Sequence, residues 1–112
     1  MTKYKNLKTK VLGKNFDSLK ESRRYLQLLA LVKTGLISDL ECQVKFEIIP
    51  RQTSHGKFVE HPTYYFADFA YKDENGVSVV EDVKSKATRK LPCYVMKRKL
   101  MLLNHGIAIK EI

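Results

Sequence analysis

Residues 79–84 read VVEDVK and place two acids and a lysine inside an otherwise apolar strand. Side chains of a strand alternate between two faces, so Asp82 and Lys84 point the same way, ~6.6 Å apart along the backbone. Burying a carboxylate is costly unless a partner or a metal ion compensates for it. The strand is therefore predicted to carry a functional site as well as part of the core.

A second apolar strand precedes this one, residues 63–72, and contains Asp68. The turn residues Asp73-Glu74-Asn75-Gly76 join it to the strand at 77–84, which predicts an antiparallel hairpin. Glu81 faces the side opposite Asp82, and a β-bulge would let Glu81 take the place of Asp82. The period of two favours Asp82, because Lys84 then shares its face.

The remaining elements give the order helix, three strands, helix, strand. The first helix begins near Asp17-Ser18, where Ser18 and Glu21 have capping-box spacing, and it ends before Gly35. A half-buried strand at 42–50, a turn region at 51–62, a helix from about 92 to 104 and a strand at 107–112 complete the pattern. The fold is predicted to be α/β: a mixed four-stranded sheet flanked by two helices, with the helical crossover making the last two strands parallel.

Length and charge limit the possible functions. The 112 residues suit a core domain at 17–112, preceded at 1–16 by a basic arm or small hairpin that packs Phe16 on the body. The net charge of +9 favours nucleic acid as a partner, with an anionic membrane surface second. Apolar runs are too short to span a bilayer, and no signal peptide is evident. Cys42 and Cys93 are isolated, which indicates reduced thiols in a cytoplasmic protein.

The acidic residues predict a site for Mg²⁺ or Mn²⁺. Mg²⁺ is usually held by one or two carboxylates with water and substrate phosphate, so Asp68 and Asp82 are the candidate ligands and the Val83 carbonyl a third. Lys84 would orient the attacking water and stabilise developing charge. Glu21 could point toward the sheet as another ligand, although its spacing favours capping. Solvated acids on an edge strand are the alternative reading of each residue alone.

A run of basic residues flanks this site, and no acid occurs between Lys84 and Lys110. Some of the run forms the polar face of the second helix, but a cationic strip beside a metal site is what binding to a phosphate backbone requires. The predicted DNA-contacting residues are Lys86, Arg89, Lys90, Lys97, Arg98, Lys99 and, on the first helix, Arg24. Gln43 could support the site from the first strand, although its place in the alternation favours a solvent-facing side chain, and the aromatic residues at 64–71 are interpreted as sheet core.

The chain resembles the PD-(D/E)XK nuclease superfamily through this order of elements, through Asp68, and through Asp82-Val83-Lys84, with Glu21 matching an acid on the first helix. Residues 16–25, 37–40, 67–69 and 80–84 more narrowly resemble a small phage and prophage family of unknown function. That group is similar to archaeal Holliday-junction resolvases and to the endonuclease subunit of the Tn7-type transposase. Ala67 replaces the proline of the superfamily's name.

This resemblance implies a restriction-endonuclease-like core and Mg²⁺-dependent cleavage of DNA, often by dimers acting on branched or duplex substrates. It also raises Glu21 from helix cap to metal ligand. The sequence thus predicts a phage-encoded endodeoxyribonuclease in the bacterial cytoplasm, directed to a junction, flap or nick. Two alternatives stay open: a nucleic-acid-binding module without catalysis, and an RNA-binding protein that stacks bases on the aromatic strand at 64–71.

Overall fold

The structure is a computed structural model that describes residues 9–11 and 13–112, with side chains from residue 13 onward. Its elements, in chain order, are β1 (Thr9–Val11), β2 (Lys14–Phe16), α1 (Leu19–Lys33), β3 (Ser38–Ile49), β4 (Gln52–Ser54), β5 (Lys57–Glu60), β6 (Thr63–Lys72), β7 (Ser78–Asp82), α2 (Pro92–His105) and β8 (Lys110–Glu111). A short 3₁₀ turn at Thr88–Lys90 precedes α2.

The central sheet has four strands in the order β3-β6-β7-β8. The pairs β3/β6 and β6/β7 are antiparallel, whereas β7/β8 is parallel, which confirms the predicted crossover through a helix. The predicted β6–β7 turn is also confirmed. The Asp73 carboxylate accepts hydrogen bonds from the backbone N–H groups of Asn75 and Val77, both at 2.9 Å, which holds the turn closed.

The two helices begin and end where the sequence places the capping residues. Ser18 accepts a hydrogen bond from the Glu21 backbone N–H at 3.1 Å and opens α1. Pro92 lies in the first turn of α2, and Gly106 ends that helix with a φ of 68°, a conformation that glycine adopts without strain. None of the helices in the described part of the chain is long and apolar enough to cross a bilayer.

The helices cover opposite faces of the sheet. Val79 packs into a cluster with Leu28 of α1, whereas its neighbour Val80 packs into a second cluster with Met101 of α2. Because adjacent strand residues point to opposite faces, each helix buries its own face. The predicted α/β class, with a mixed four-stranded sheet and two helices, is thereby confirmed.

Three segments differ from the sequence prediction. Strand β3 begins at Ser38 rather than 42, and the last strand is only Lys110–Glu111. Residues 51–62, predicted as a turn region, contain the hairpin β4–β5. Every residue of that hairpin is exposed, so it carries none of the apolar alternation by which strands are recognised.

The small hairpin predicted within the first sixteen residues is present as β1 and β2, and Phe16 is buried against Tyr25. Residues 1–8 of the predicted basic arm lie outside the described part of the chain. Packing of Phe16 therefore attaches this hairpin to the α1 side of the protein.

The covering helix changes partway along β6. Ala67 belongs to the cluster under α2 and Phe69 to the cluster under α1, although they are two residues apart. On the paired strand, Cys42 faces Phe69 and Val44 faces Ala67, so Gln43 and Asp68 lie opposite each other at this boundary. Gln43 and Asp68 belong to neither of the two apolar clusters, so the sheet can accommodate polar groups at this position.

The core of α2 provides a test of this packing. Met101 is fully buried, so Met101→Ala should lower the free energy of unfolding by about 2–5 kcal/mol through lost contacts and a cavity. Leu103→Ala, on the same helix but 78% exposed, should change it by less than about 0.5 kcal/mol. Urea unfolding measures both values, and equal effects would contradict the assigned orientation of α2.

Candidate functional site

Two carboxylates meet where β6 and β7 run side by side. The β6/β7 ladder ends at the pair Phe69–Glu81, and the next residues in this register, Asp68 and Asp82, have side chains within hydrogen-bonding reach of each other. Asp68 Oδ2 accepts a hydrogen bond from the Val83 backbone N–H at 2.8 Å. That bond holds the end of β7 against β6 and aims the Asp68 side chain at its neighbour.

Asp82 is 1% exposed, and its two carboxylate oxygens have different surroundings. Oδ2 accepts a hydrogen bond from the Tyr65 hydroxyl at 2.6 Å and lies 3.3 Å from Lys84 Nζ. Oδ1 is buried and has no hydrogen-bond partner among the described residues. An unpartnered buried carboxylate oxygen is costly, so this atom marks a position suited to a cation, to a donor from a ligand, or to a proton held by the neighbouring Asp68.

The pKa of Asp68 is raised to about 8, first by burial and then by a side-chain hydrogen bond with Asp82, so a proton on Asp68 can be shared between the two carboxyl groups. Two carboxylates at one spot resist being ionised together, because each disfavours the charge of the other. The pair therefore holds a proton readily or gains strongly from a bound cation. Perturbed groups of this kind concentrate at functional sites, although structural networks produce them too.

Lys84 brings positive charge to the same spot from the sequence position two residues after Asp82. Its Nζ lies 5.3 Å from the ring centroid of Tyr94 in α2, besides its contact with Asp82. The backbone is held by β8: the Lys84 N–H donates to the Ile112 carbonyl at 3.4 Å, and the Ile112 N–H donates to the Asp82 carbonyl at 3.0 Å. The predicted sharing of one face by Asp82 and Lys84 is what the structure has.

Glu21 contributes to both the helix cap and the sheet. Its backbone N–H makes the capping bond to Ser18, while its buried carboxylate accepts a hydrogen bond from Gln43 Nε2 at 3.0 Å. The same Gln43 nitrogen lies 3.4 Å from Asp68 Oδ1, so one amide lies between the two acids. Burial, followed by the charge of Asp17, raises the pKa of Glu21.

Gln43 and Tyr65 lie at the site, although the sequence favours a solvent-facing Gln43 over a supporting one and a Tyr65 in the sheet core. Gln43 has a φ of 53°, which is uncommon for a residue other than glycine and turns its side chain toward the acids. Tyr65 was read as sheet core, which describes its buried ring but not its hydroxyl bond to Asp82. The alternation of polar and apolar residues in β3 does not distinguish Gln43 from a solvent-facing residue. The position of Tyr65 on the strand that carries Asp68 is a weak signal of its contact with the acids.

Glu81, the alternative to Asp82, is engaged on the other face. Its carboxylate accepts hydrogen bonds from Arg24 Nε at 2.7 Å and Arg24 Nη2 at 2.6 Å, and another from the Tyr71 hydroxyl. Burial acts to raise the pKa of Glu81, but the bonds from Arg24 and Tyr71 outweigh it and hold the pKa below its ordinary value. Strand β7 pairs through Glu81 without a bulge, so Asp82 is the acid that faces Asp68.

The basic strip differs in part from its prediction. Arg24, expected to contact DNA, is instead committed to the buried Glu81, because leaving that charge unpaired would be costly. Arg98 and Arg89 lie 3.4 and 3.9 Å from Glu111, an acid just beyond the acid-free stretch. The predicted residues without such a partner in the described structure are four lysines: Lys86, Lys90 and Lys99, which are exposed, and Lys97, which is half-buried.

The residues present suit a hard cation with few protein ligands. Within the described residues, no three His, Cys, Asp or Glu side chains form a ready metal-binding group. Mg²⁺ needs only one or two carboxylates and keeps several waters, so Asp68 and Asp82 satisfy its ordinary requirement. The unpartnered Oδ1 of Asp82 and the raised pKa of Asp68 both fit a carboxylate pair completed by a cation. Val83, whose carbonyl was the predicted third ligand, lies between Asp82 and Lys84.

Comparison with known proteins gives one match. Residues 1–107 match the family described as "Protein of unknown function (DUF1064)". Searches of curated proteins and of solved structures found no match.

The backbone of Gln43 offers a test that is independent of any activity. A left-handed φ costs about 1 kcal/mol for a residue with a Cβ, and glycine avoids that cost. Gln43→Gly and Gln43→Ala both remove the amide, so the glycine variant should be more stable than the alanine variant by about 1 kcal/mol in urea unfolding. At Lys45, in the same strand with ordinary φ, the order should reverse. An alanine variant of Gln43 that is as stable as the glycine variant would refute the strain.

The acid pair predicts a pH dependence of stability. Because the pKa of folded Asp68 is raised from 3.8 to about 8, the native state holds its proton longer than the unfolded chain, and stability falls as pH rises between those values. Asp68→Asn removes this loss and should stabilise the metal-free protein at pH 8 by about 0.5–2 kcal/mol, with little effect at pH 4.

Thermal unfolding between pH 4 and pH 8 without divalent ions measures the effect. Glu74→Gln, in the exposed β6–β7 turn, is the control for the loss of one carboxylate away from the acid pair. A constant difference for Asp68→Asn across the range would show that Asp68 titrates normally.

Proposed function

The chain belongs to the DUF1064 family, and we propose that it is an endodeoxyribonuclease that hydrolyses DNA phosphodiester bonds with Mg²⁺ or Mn²⁺. The observation that carries this proposal is the pair of half-buried Asp68 and fully buried Asp82, with one Asp82 oxygen unpartnered and Lys84 beside the other. The resemblance to PD-(D/E)XK nucleases supports it through the same residues. We extend that resemblance to the fold and propose a restriction-endonuclease-like core.

Each residue has a role that follows from its chemistry. Asp68 and Asp82 would hold the ion, with the Val83 carbonyl beside them and Glu21 acting directly or through water. When bound, Mg²⁺ supplies neutralisation of phosphate charge and a lower pKa for a coordinated water. The Gln43 amide, bonded to Glu21, would keep the acid of α1 directed toward the sheet.

Lys84 is the group that would act on the attacking water. Its ammonium is paired with Asp82 Oδ2 at 3.3 Å and its side chain is 25% exposed, so a phosphate oxygen can reach it and compete with that carboxylate. A lysine presents a compact charge with three rotatable donors, which suits both orienting a water and stabilising the developing negative charge. Tyr65 holds the same Asp82 oxygen from the other side and limits how far that carboxylate can turn.

The charge distribution favours DNA as the substrate. The chain carries a net charge of +9, and Lys86, Lys90, Lys97 and Lys99 lie between β7 and the middle of α2 without acidic partners in the described structure. Such lysines bind phosphates but read no bases. We therefore propose cleavage directed by a junction, flap or nick rather than by sequence. A homodimer would supply a second site for symmetric cuts, and phage DNA metabolism in a bacterial host's cytoplasm is the setting we propose.

One observation favours a rival, a nucleic-acid-binding module without catalysis. The described residues contain no ready group of three metal-ligating side chains. A protein that binds nucleic acid without catalysis would also have no such group. The rival requires that DNA binding be independent of divalent ions at the acid pair. Cleavage and metal binding, measured separately, distinguish the two functions.

Asp82→Asn is the variant that separates binding from cleavage. It keeps the shape of the side chain but removes the charge that holds the ion, so Mg²⁺-dependent nicking of plasmid or junction DNA should fall by more than about a hundredfold. DNA affinity should be unchanged or slightly higher, because repulsion of phosphate is removed. A gel assay with supercoiled plasmid, four-way junction, flap and single-stranded DNA measures cleavage, and electrophoretic mobility shift measures binding.

Metal binding has its own readout. Mg²⁺ or Mn²⁺ should raise the midpoint of thermal unfolding of the unaltered protein and of Glu74→Gln, but not of Asp82→Asn, since only a site in the native state stabilises it. Binding of DNA by the unaltered protein without cleavage of any of these substrates, together with no thermal shift, would establish the rival.

A further inference from the structure

A cavity of about 290 Å³ opens beside the acid pair, and the geometry points to a binding site for an unpaired nucleobase there. The residues that carry this inference line its walls: Tyr65, Phe66, Lys84, Leu91, Tyr94 and Lys97. The inference rests on the proposed function and narrows its substrate class to DNA with unpaired nucleotides.

The cavity and the acid pair share side chains. Tyr65 contributes its ring to the cavity wall and its hydroxyl to Asp82, at 2.6 Å. Lys84 lines the cavity and lies 3.3 Å from the same carboxylate. A nucleotide whose base occupies the cavity would therefore lie one or two nucleotides along the DNA strand from the phosphate at the candidate cleavage site.

Phe66 is the most unusual residue in the wall. It is 55% exposed on β6, two residues from Asp68, and Leu91 across the cavity is 54% exposed. Large apolar side chains left open beside a charged site gain from a ligand with a flat apolar face. Every nucleobase has such a face, and stacking on an aromatic ring is favourable for all of them.

The charged residues of the cavity indicate that its ligand carries a negative group beside the flat apolar face. Its charged lining residues are Lys84 and Lys97, and no Asp or Glu side chain lines it. An apolar wall with two ammonium groups complements a base attached to a phosphate, whereas an apolar peptide would offer neither ammonium group an anion. Single-stranded nucleic acids are bound by this combination of cations and aromatic rings.

Only an unstacked base can enter. Bases in a continuous duplex are covered by their neighbours, so access to Phe66 requires a flap, a gap, a single strand or a branch point. The cavity thus gives a physical reason why the proposed cleavage would be directed by DNA structure.

Replacement of Phe66 tests the site by binding, with EDTA present so that no cleavage occurs. Fluorescence anisotropy with a labelled single-stranded oligonucleotide should show Phe66→Ala weakening binding by about fivefold to a hundredfold, with blunt duplex affinity changed less than twofold. Phe66→Trp should restore the single-strand affinity, because it keeps a stacking surface. Phe58→Ala, a 43% exposed aromatic on β5 away from the cavity, is the matched control and should change neither.

Each other outcome overturns the inference. Equal losses on single strand and duplex would assign Phe66→Ala a structural effect, as would a lowered unfolding midpoint. If Phe66→Ala left the affinity for single-stranded DNA unchanged, the cavity would not bind a nucleobase. If Phe66→Ala lost more affinity for RNA of the same sequence than for DNA, the ligand would be RNA. Because the assay needs no catalysis, the nucleobase site can be confirmed even if the protein cleaves no DNA. Conversely, cleavage of DNA by a protein whose binding is unaffected by Phe66→Ala would support the nuclease function and refute the nucleobase site.

Discussion

Two neighbouring acids of β7 are both buried, and the rest of the site depends on how each is compensated. Glu81 is 0% exposed and Asp82 1%, yet they face opposite layers of the protein. Glu81 receives an arginine fork and a tyrosine hydroxyl, so its charge is stabilised within the fold. Asp82 receives a hydroxyl and one ammonium and retains an unpartnered oxygen, so its compensation is incomplete. The charge of the first acid is compensated within the fold, whereas the second keeps an oxygen to which a cation or a hydrogen-bond donor could bind.

The sheet provides this arrangement because its cover changes at one position. Apolar residues of β3 and β6 pack under α1 on one side of the Gln43–Asp68 pair and under α2 on the other. Polar side chains at such a boundary avoid burial in an apolar cluster but are still shielded from bulk water. The partly desolvated environment raises the pKa of Asp68 and strengthens its interaction with any cation.

The sequence was sufficient for the elements whose signals are local. Strand β6, the Asp73 turn, the Ser18 cap and the Pro92 and Gly106 ends of α2 each follow from residue chemistry within a few positions. The convergence of Asp68, Asp82 and Lys84 also followed, because period two and a tight hairpin leave little choice of register.

What escaped prediction depends on contacts between distant segments. The left-handed backbone of Gln43 interrupts a regular alternation without any change of residue type to mark it. Arg24 looked like a phosphate contact because its partner Glu81 is far away in sequence, and Glu111 compensates two arginines from the chain's last strand. Local patterns report which residues are charged, but only the fold determines which charges remain available.

The hydrogen bonds of Ile112 to both sides of Val83 have a mechanical consequence. They fix the main chain at Lys84 beside β8, while the Lys84 ammonium lies between Asp82 and the Tyr94 ring. The charge is thus joined to a fixed backbone only through the rotatable bonds of its own four-carbon side chain. Such a charge can follow a change of partner without any rearrangement of the strands that hold the acids.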